Sequence, residues 1–157
     1  MKKKGFNLKV FIICLVIVFL VAFIGSLFTS GNSSGDWYDS IKPSITPPGW
    51  VFPIVWNILF FLIAVSLYFA WQSANNKQKK SVLIVFAINF ILNIFWSFLY
   101  FYLRRPPLAF IEIFFLLISI VSMILVTWKI DKKSSYLLIP YLVWVSFATI
   151  LNYLTII

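Results

Sequence analysis

Histidine is absent from the sequence, and cysteine occurs once, as Cys14. Without histidine, acid–base catalysis by imidazole, ligation of haem iron by histidine and ordinary zinc sites are excluded. With a single cysteine, no disulfide forms within the chain and no cysteine-rich metal site is available. A glycine-rich phosphate loop and a nucleophile elbow are also missing. The sequence therefore indicates no catalytic residue, no metal site and no required cofactor.

Charged residues are scarce as well. They make up 11% of the chain and hydrophobic residues 62%, against roughly 25% and about 45–50% in typical globular proteins. A soluble fold of 157 residues cannot hide so much apolar surface from water, whereas a lipid bilayer removes the need. The net charge of +9 comes from basic residues placed between apolar runs. We therefore interpret it as a topology signal and expect no nucleic-acid partner.

Five long runs with few or no charges define the predicted architecture. Each reaches the roughly 20 residues that a helix needs to cross the hydrocarbon of a bilayer. Because backbone polar groups in lipid must be satisfied within each segment, we expect every run to be helical. The sequence predicts an all-α membrane protein, one domain over residues 1–157 built as a bundle of five transmembrane helices. The runs are Val10–Thr29, Val51–Trp71, Ser81–Leu103, Pro106–Trp128 and Ser134–Ile157.

The basic residues predict the orientation. Three segments on one side of the predicted membrane hold ten of the 13 basic residues: Lys2, Lys3, Lys4, Lys9, Lys77, Lys79, Lys80, Lys129, Lys132 and Lys133. By the positive-inside rule, this multi-pass protein has its N-terminus in the cytoplasm, with the C-terminus and the first loop outside. The first run exceeds the roughly 7–15 apolar residues of a signal peptide and no clear cleavage site follows, so we expect it to be retained.

The longest loop, residues 30–50, is rich in proline and tryptophan. Pro43, Pro47, Pro48 and Pro53 are expected to prevent regular helix across it and to stiffen it. A stiff loop at a membrane surface suits a lid over a site, and it equally suits a plain connector with interfacial tryptophans.

Polar and aromatic side chains recur at helical spacing within the spans. One face of the third run carries Asn89, Asn93, Trp96 and Tyr100, and one face of the fifth carries Tyr141, Trp144, Ala148 and Asn152. Such faces serve either as hydrogen-bonding contacts between helices or as the wall of an aromatic cavity. Glu112, in the fourth run, is either the partner of Arg104 or Arg105 in an ion pair or a polar anchor for a ligand.

Three motifs together resemble the TspO/MBR family. The stretch WYDSIKPSITPPGWVFPIVW is similar to the family's first-loop pattern, LNIFWSFLYF to its third-helix segment, and PYLVWVSFATILN to its fifth-helix segment. The resemblance covers nearly the whole chain. The sequence departs from the usual pattern at Ile45, Ile94 and Leu108, where aromatic residues are common, and no Lys or Arg follows Tyr153, so the sterol-recognition pattern of animal members is incomplete.

The resemblance implies a five-helix bundle, usually a homodimer, that binds porphyrins and related tetrapyrroles such as protoporphyrin or haem under the first loop. By position it implies a ligand site formed by Tyr38, Pro47, Trp56, Asn93, Trp96, Ser97, Trp144, Ala148 and Asn152, with Glu112 as a candidate polar anchor. The expected function is that of a membrane receptor or sensor. Transport of small amphipathic molecules and light-dependent degradation of porphyrin are the alternatives.

Overall fold

The computed structural model describes residues 5–33 and 35–157, and every regular element in these two ranges is helical. Five helices are long and apolar enough to cross a membrane, which confirms the five predicted spans. They are α1 (Leu8–Thr29), α3 (Val51–Ser73), α4 (Asn76–Ser97) with its π-helical extension Phe98–Tyr102, α5 (Pro106–Trp128) and α6 (Lys132–Leu154). A short helix, α2 (Asp36–Ile41), lies in the first loop.

The helix α2 corrects the expectation that the first loop contains no regular helix. Residues 36–41 precede Pro43, the first of the loop prolines, so nothing in this stretch lacks a backbone N–H. Asp36 and Asp39 lie in its first turn, where a carboxylate is favoured by the exposed N–H groups of the helix. From residue 42 to residue 50 the chain is non-helical, as the prolines predict.

The start of α4 differs most from the predicted boundary. The hydrophobic run begins at Ser81, but the helix begins at Asn76. Asn75 and Gln78 form a capping box, in which each side chain accepts a hydrogen bond from the other residue's backbone N–H at 2.9 Å. The helix therefore starts before the apolar segment, in a turn that carries Lys77, Lys79 and Lys80.

The five long helices close into a ring. Contacts run from α1 to α3, from α3 to α6, from α6 to α5, from α5 to α4, and from α4 back to α1. The outward surface is apolar; Val16, Ile91 and Val143, for example, are each more than 60% exposed. Such a surface is stable only in lipid, so the bundle is an integral multi-pass membrane domain.

The bundle has two chemically different ends. We call one the basic end; among the described residues it carries Lys9, Lys77, Lys79, Lys80, Lys129, Lys132 and Lys133. The other, the loop end, carries residues 30–33 and 35–50 and the α4–α5 connection. Lys2, Lys3 and Lys4, which also support the predicted orientation, lie outside the described residues.

Candidate functional site

A buried hydrogen-bond network joins α4, α5 and α6 near the middle of the bundle. The Tyr141 hydroxyl, 1% exposed, accepts a hydrogen bond from Asn93 Nδ2 at 3.1 Å and donates one to Asn89 Oδ1 at 3.3 Å. Asn89 Nδ2 donates to Ser119 Oγ at 2.9 Å. The polar faces predicted on the third and fifth spans therefore meet, and their amides bond helix to helix.

A second polar link lies nearer the loop end. The indole Nε1 of Trp96 donates to Asn152 Oδ1 at 3.2 Å, and Asn152 Nδ2 donates to the carbonyl of Pro106 at 3.0 Å. Asn152 is 1% exposed, and both of these hydrogen bonds are partly buried. One amide thus ties α4 and α6 to the first turn of α5.

An aromatic cluster holds the first loop against the end of α4. Trp96 stacks on Tyr100 with ring centroids 5.0 Å apart, and Trp37 of α2 meets Tyr100 edge-on at 6.1 Å. Tyr38 contacts Phe101 at 5.9 Å. Two elements supply these rings: α2 and the end of α4 with its π-helical turn. We call the five rings the aromatic cap.

Ring contacts dominate the attachment of the cap. The side-chain hydrogen bonds of α2 are local, from Ser40 to the Trp37 carbonyl and from Lys42 to Asp39. The guanidinium of Arg104 lies 5.6 Å from the Trp37 ring, a cation–π contact. Burial, followed by the adjacent Asp39 carboxylate, raises the pKa of Tyr38, so its hydroxyl stays neutral at physiological pH.

A third group of rings lies along the seam between α3 and α6. Trp56 stacks on Phe60 at 5.4 Å and meets Tyr141 edge-on at 6.2 Å. Phe52 meets Trp144 edge-on at 5.8 Å. Two of the three tryptophans predicted to stack on a ligand, Trp56 and Trp144, therefore belong to this seam, while Trp96 belongs to the cap.

The structure does not bring all the predicted site residues together. Ser97 lies on the α1 side of α4, where its Oγ is 3.9 Å from the position of a Cβ built on Gly25. Pro47 is half-buried in the segment between α2 and α3. Ala148 is half-buried one turn after Trp144. Tyr38, Trp56, Asn93, Trp96, Trp144 and Asn152 contribute to the three groups described above.

Glu112 has a different environment from the one that an ion pair requires. It is 5% exposed, and neither carboxyl oxygen has a hydrogen-bond partner within the described residues. The interpretation as an ion pair with Arg104 or Arg105 is therefore wrong. Arg104 has a left-handed backbone, with φ of 53°, and its guanidinium lies over Trp37 instead.

An unpartnered buried carboxyl is costly, by roughly 1–3 kcal/mol or more. Most other polar side chains in this interior are paired, which makes Glu112 an exception. Among the described residues, no group of three histidine, cysteine or acidic side chains is placed to hold a metal ion. The hydrogen-bonding capacity of the Glu112 carboxyl is therefore unused within the described residues.

Several residues of this region were not predicted as site residues. Asn89, Tyr141 and Ser119 form the centre of the network, and for Asn89 and Tyr141 the signal was their position on the predicted faces of the third and fifth spans. Trp37 and Phe101 complete the cap. For Phe101 no spacing rule pointed inward, because the π-helical turn changes the face on which it lies.

Two grooves cut the outer wall of the bundle. The larger, about 680 Å³, lies between α3 and α6, and the smaller, about 410 Å³, lies between α4 and α5. Trp144 lines the first and Ser119 lines the second, so each groove touches one of the groups described above.

Comparison with known proteins agrees with the resemblance. Residues 13–157 match the TspO/MBR family. The chain is 37% identical over 142 residues to Tryptophan-rich protein TspO of Chlorobaculum tepidum, covering 90% of each chain. It is 35% identical to Tryptophan-rich protein TspO of Archaeoglobus fulgidus, covering 94% of this chain and 95% of that protein. It is 29% identical over 137 residues to the human Translocator protein, covering 85% of this chain and 80% of that protein.

Proposed function

The chain belongs to the TspO/MBR family of membrane sensory and translocator proteins, and from this premise we propose that it is a receptor for porphyrins. The proposed site lies in the loop-end half of the bundle, between the aromatic cap, the α3–α6 seam and the central network. The observation that carries the proposal is that three indoles, Trp56, Trp96 and Trp144, pack against one hydrophobic core, and that the interior of the bundle also holds the unpartnered carboxyl of Glu112.

The chemistry of this region suits a flat macrocycle. Indole faces stack on extended aromatic systems, with roughly 0.5–1.5 kcal/mol per pair beyond the burial of apolar area. Asn93 and Asn152 supply amide donors and acceptors. Glu112 offers an acceptor, or a donor when it is protonated, for the polar edge of the ligand. Together these side chains combine a large apolar surface with a few polar groups, as small-molecule sites usually do.

Ligand binding requires the rings of this region to separate. In the structure they contact one another, and Trp96 is bonded to Asn152. The rings of α2, Trp37 and Tyr38, are held to the end of α4 mainly by ring contacts, so they separate from it without leaving a buried polar group unpaired. A net hydrogen bond is worth about 0.5–1.5 kcal/mol, so exchanging the Trp96–Asn152 bond for one to a ligand is energetically close to neutral.

Titration of the purified protein in nanodiscs with protoporphyrin IX and with haem tests the proposal. Trp56→Ala and Trp144→Ala should each weaken binding about five- to tenfold, because each removes one stacking face. Trp128→Ala at the basic end is the matched control, since Trp128 contacts Tyr136 and Lys132 and should leave the affinity unchanged. Absence of saturable binding by the unaltered protein would overturn the proposal.

The same protein in proteoliposomes separates receptor from transporter. Saturable binding without flux of porphyrin across the bilayer supports the receptor. Flux that requires Trp56 and Trp144 would assign transport to the same site and would contradict a purely sensory role.

A further inference from the structure

The seam between α3 and α6 is joined by hydrogen bonds toward the basic end. Ser66 Oγ donates to the Ser134 carbonyl at 2.9 Å, and Ser134 Oγ donates to the Ser66 carbonyl at 2.8 Å. The two hydroxyl oxygens are 2.8 Å apart and both residues are 0% exposed. Such reciprocal bonds between small residues hold the two backbones close together at this level.

Toward the loop end the same seam opens into the 680 Å³ groove. Its walls are hydrophobic residues throughout, among them Val55, Ile58, Leu59, Pro140, Val143 and Trp144. Pro140 lies within α6 and has no N–H, so the carbonyl of Tyr136 receives no helical hydrogen bond from it. The wall of the groove is therefore interrupted in its backbone bonding as well as lined by apolar side chains.

The groove borders the proposed site. Trp144 lines the groove and contacts Phe52 at 5.8 Å. Val55 lines the groove, and the next residue, Trp56, contacts Tyr141. Aromatic contacts rather than hydrogen bonds thus separate the groove from the bundle interior at this level.

The groove between α4 and α5 offers a direct contrast. Ser119 lies at its wall, and the Ser119 hydroxyl accepts a hydrogen bond from Asn89 of the neighbouring helix. That buried hydrogen bond joins α4 to α5 and is 2.9 Å long, so a direct polar contact between the two helices lies behind the second groove. The two grooves therefore differ in what lies behind them.

We propose that the loop-end part of the α3–α6 seam is a lateral entrance, through which a flat apolar ligand passes from the bilayer into the site. The Trp144 ring is its gate. This inference rests on the proposed porphyrin site and adds the route to it. A membrane-dissolved ligand that enters sideways stays in an apolar medium along its whole route. The groove is thus occupied by the ligand while it passes between the bilayer and the site.

The test fills each groove with an indole. Val143→Trp obstructs the proposed entrance, and Ile118→Trp fills the other groove; the two positions are 64% and 63% exposed, so both substitutions face lipid. Protoporphyrin IX is loaded into protein-free nanodiscs, which are then mixed with nanodiscs that contain the protein. Stopped-flow fluorescence follows the binding of the ligand over time, and a separate titration gives the equilibrium affinity.

In Val143→Trp, association and dissociation should both slow about tenfold with the affinity unchanged within about twofold, since a gate alters rates and not the bound state. Ile118→Trp should match the unaltered protein. Val143→Ala, which widens the groove, should accelerate both steps and serves as the second variant should Val143→Trp fail to fold.

Unchanged rates in Val143→Trp, or equal slowing in both tryptophan variants, would overturn the entrance. A weaker affinity without slower association would also overturn it, because the groove would then be the binding place itself. If the unaltered protein binds no porphyrin, the proposed function fails first, and that result is distinct from unchanged rates.

Discussion

The two ends of the bundle differ in the side chains that form hydrogen bonds between helices. Toward the basic end, hydroxyl groups on small residues bond directly across helices, as between Ser66 and Ser134 and between Thr127 and Ser135, whose oxygens are 2.8 Å apart. Toward the loop end, the contacts are made by large rings and by two carboxamides. Short side chains bring backbones close, whereas indoles and phenols keep them apart.

This contrast explains where a site for a small molecule can form. Ser66, Ser134, Ser135 and Thr127 are all 0% exposed, so the basic end is a tightly packed anchor. Rings separate at a lower cost than buried hydrogen bonds break, since no polar group is left unsatisfied. The loop end can therefore rearrange around a ligand while the basic end keeps the ring of helices intact.

Ser66→Leu should change the free energy of unfolding most, because it disrupts the hydrogen-bonded contact that distinguishes the basic end. The larger side chain cannot fit between α3 and α6 at a fully buried position, and the Ser134 carbonyl loses the hydroxyl that donates to it. We expect a loss of about 3 kcal/mol in the free energy of unfolding, the sum of overpacking and a lost hydrogen bond. Unfolding in mixed micelles measures it. Ser146→Leu, at an exposed position on α6, is the control and should change stability by less than about 0.5 kcal/mol.

Tyr141→Phe tests the level where the two ends meet. Removal of this hydroxyl leaves Asn89 without a donor and Asn93 without an acceptor, at a fully buried position. The expected destabilisation is about 2 kcal/mol, taking two buried contacts at roughly 0.6–1.7 kcal/mol each. A destabilisation as large as that of Ser66→Leu would show that the middle of the bundle, and not the basic end, is the anchor.

Glu112→Leu should have the smallest effect and the opposite sign. It removes a buried carboxyl that has no partner within the described residues, so the free energy of unfolding should rise by about 1 kcal/mol while porphyrin binding weakens. Thermal unfolding with and without protoporphyrin IX measures both changes. Reduced stability without ligand would show that the carboxyl has a structural role, and the loop end would then be less adaptable than inferred.

Much of the fold was predictable because lipid imposes strong rules on sequence. The run Pro106–Trp128 coincides with α5, and Val51–Trp71 ends two residues before α3 does. The order of the helices around the ring was not predictable, since hydropathy reports only that a segment spans. The helix α2, Asp36–Ile41, is too short to show a helical period of hydrophobic residues, so nothing in the sequence opposed the expectation of a non-helical loop that the nearby prolines gave.

The polar helix faces that form the site could be predicted from residue spacing, but the contacts between those faces could not. Spacing placed Asn89 and Asn93 on one side of α4, and the structure pairs both with Tyr141. It was not predictable that Glu112 has no partner within the described residues, because Arg104 has a left-handed backbone and its guanidinium lies over Trp37. The ligand-binding roles of Tyr38, Trp56 and Trp144 stay predictions.

The π-helical turn at Phe98–Tyr102 changes the direction of the side chains that follow it, compared with an uninterrupted α-helix over the same span. It closes with a hydrogen bond from the Leu103 amide to the Phe98 carbonyl at 2.9 Å, one residue wider than an α-helical turn. Each residue in a helix advances the side-chain direction by about 100°. Deleting one residue here would restore the ordinary period, and the chain beyond it would rotate away from α2. The one extra residue in this turn therefore determines the direction in which the end of α4 faces α2 of the first loop.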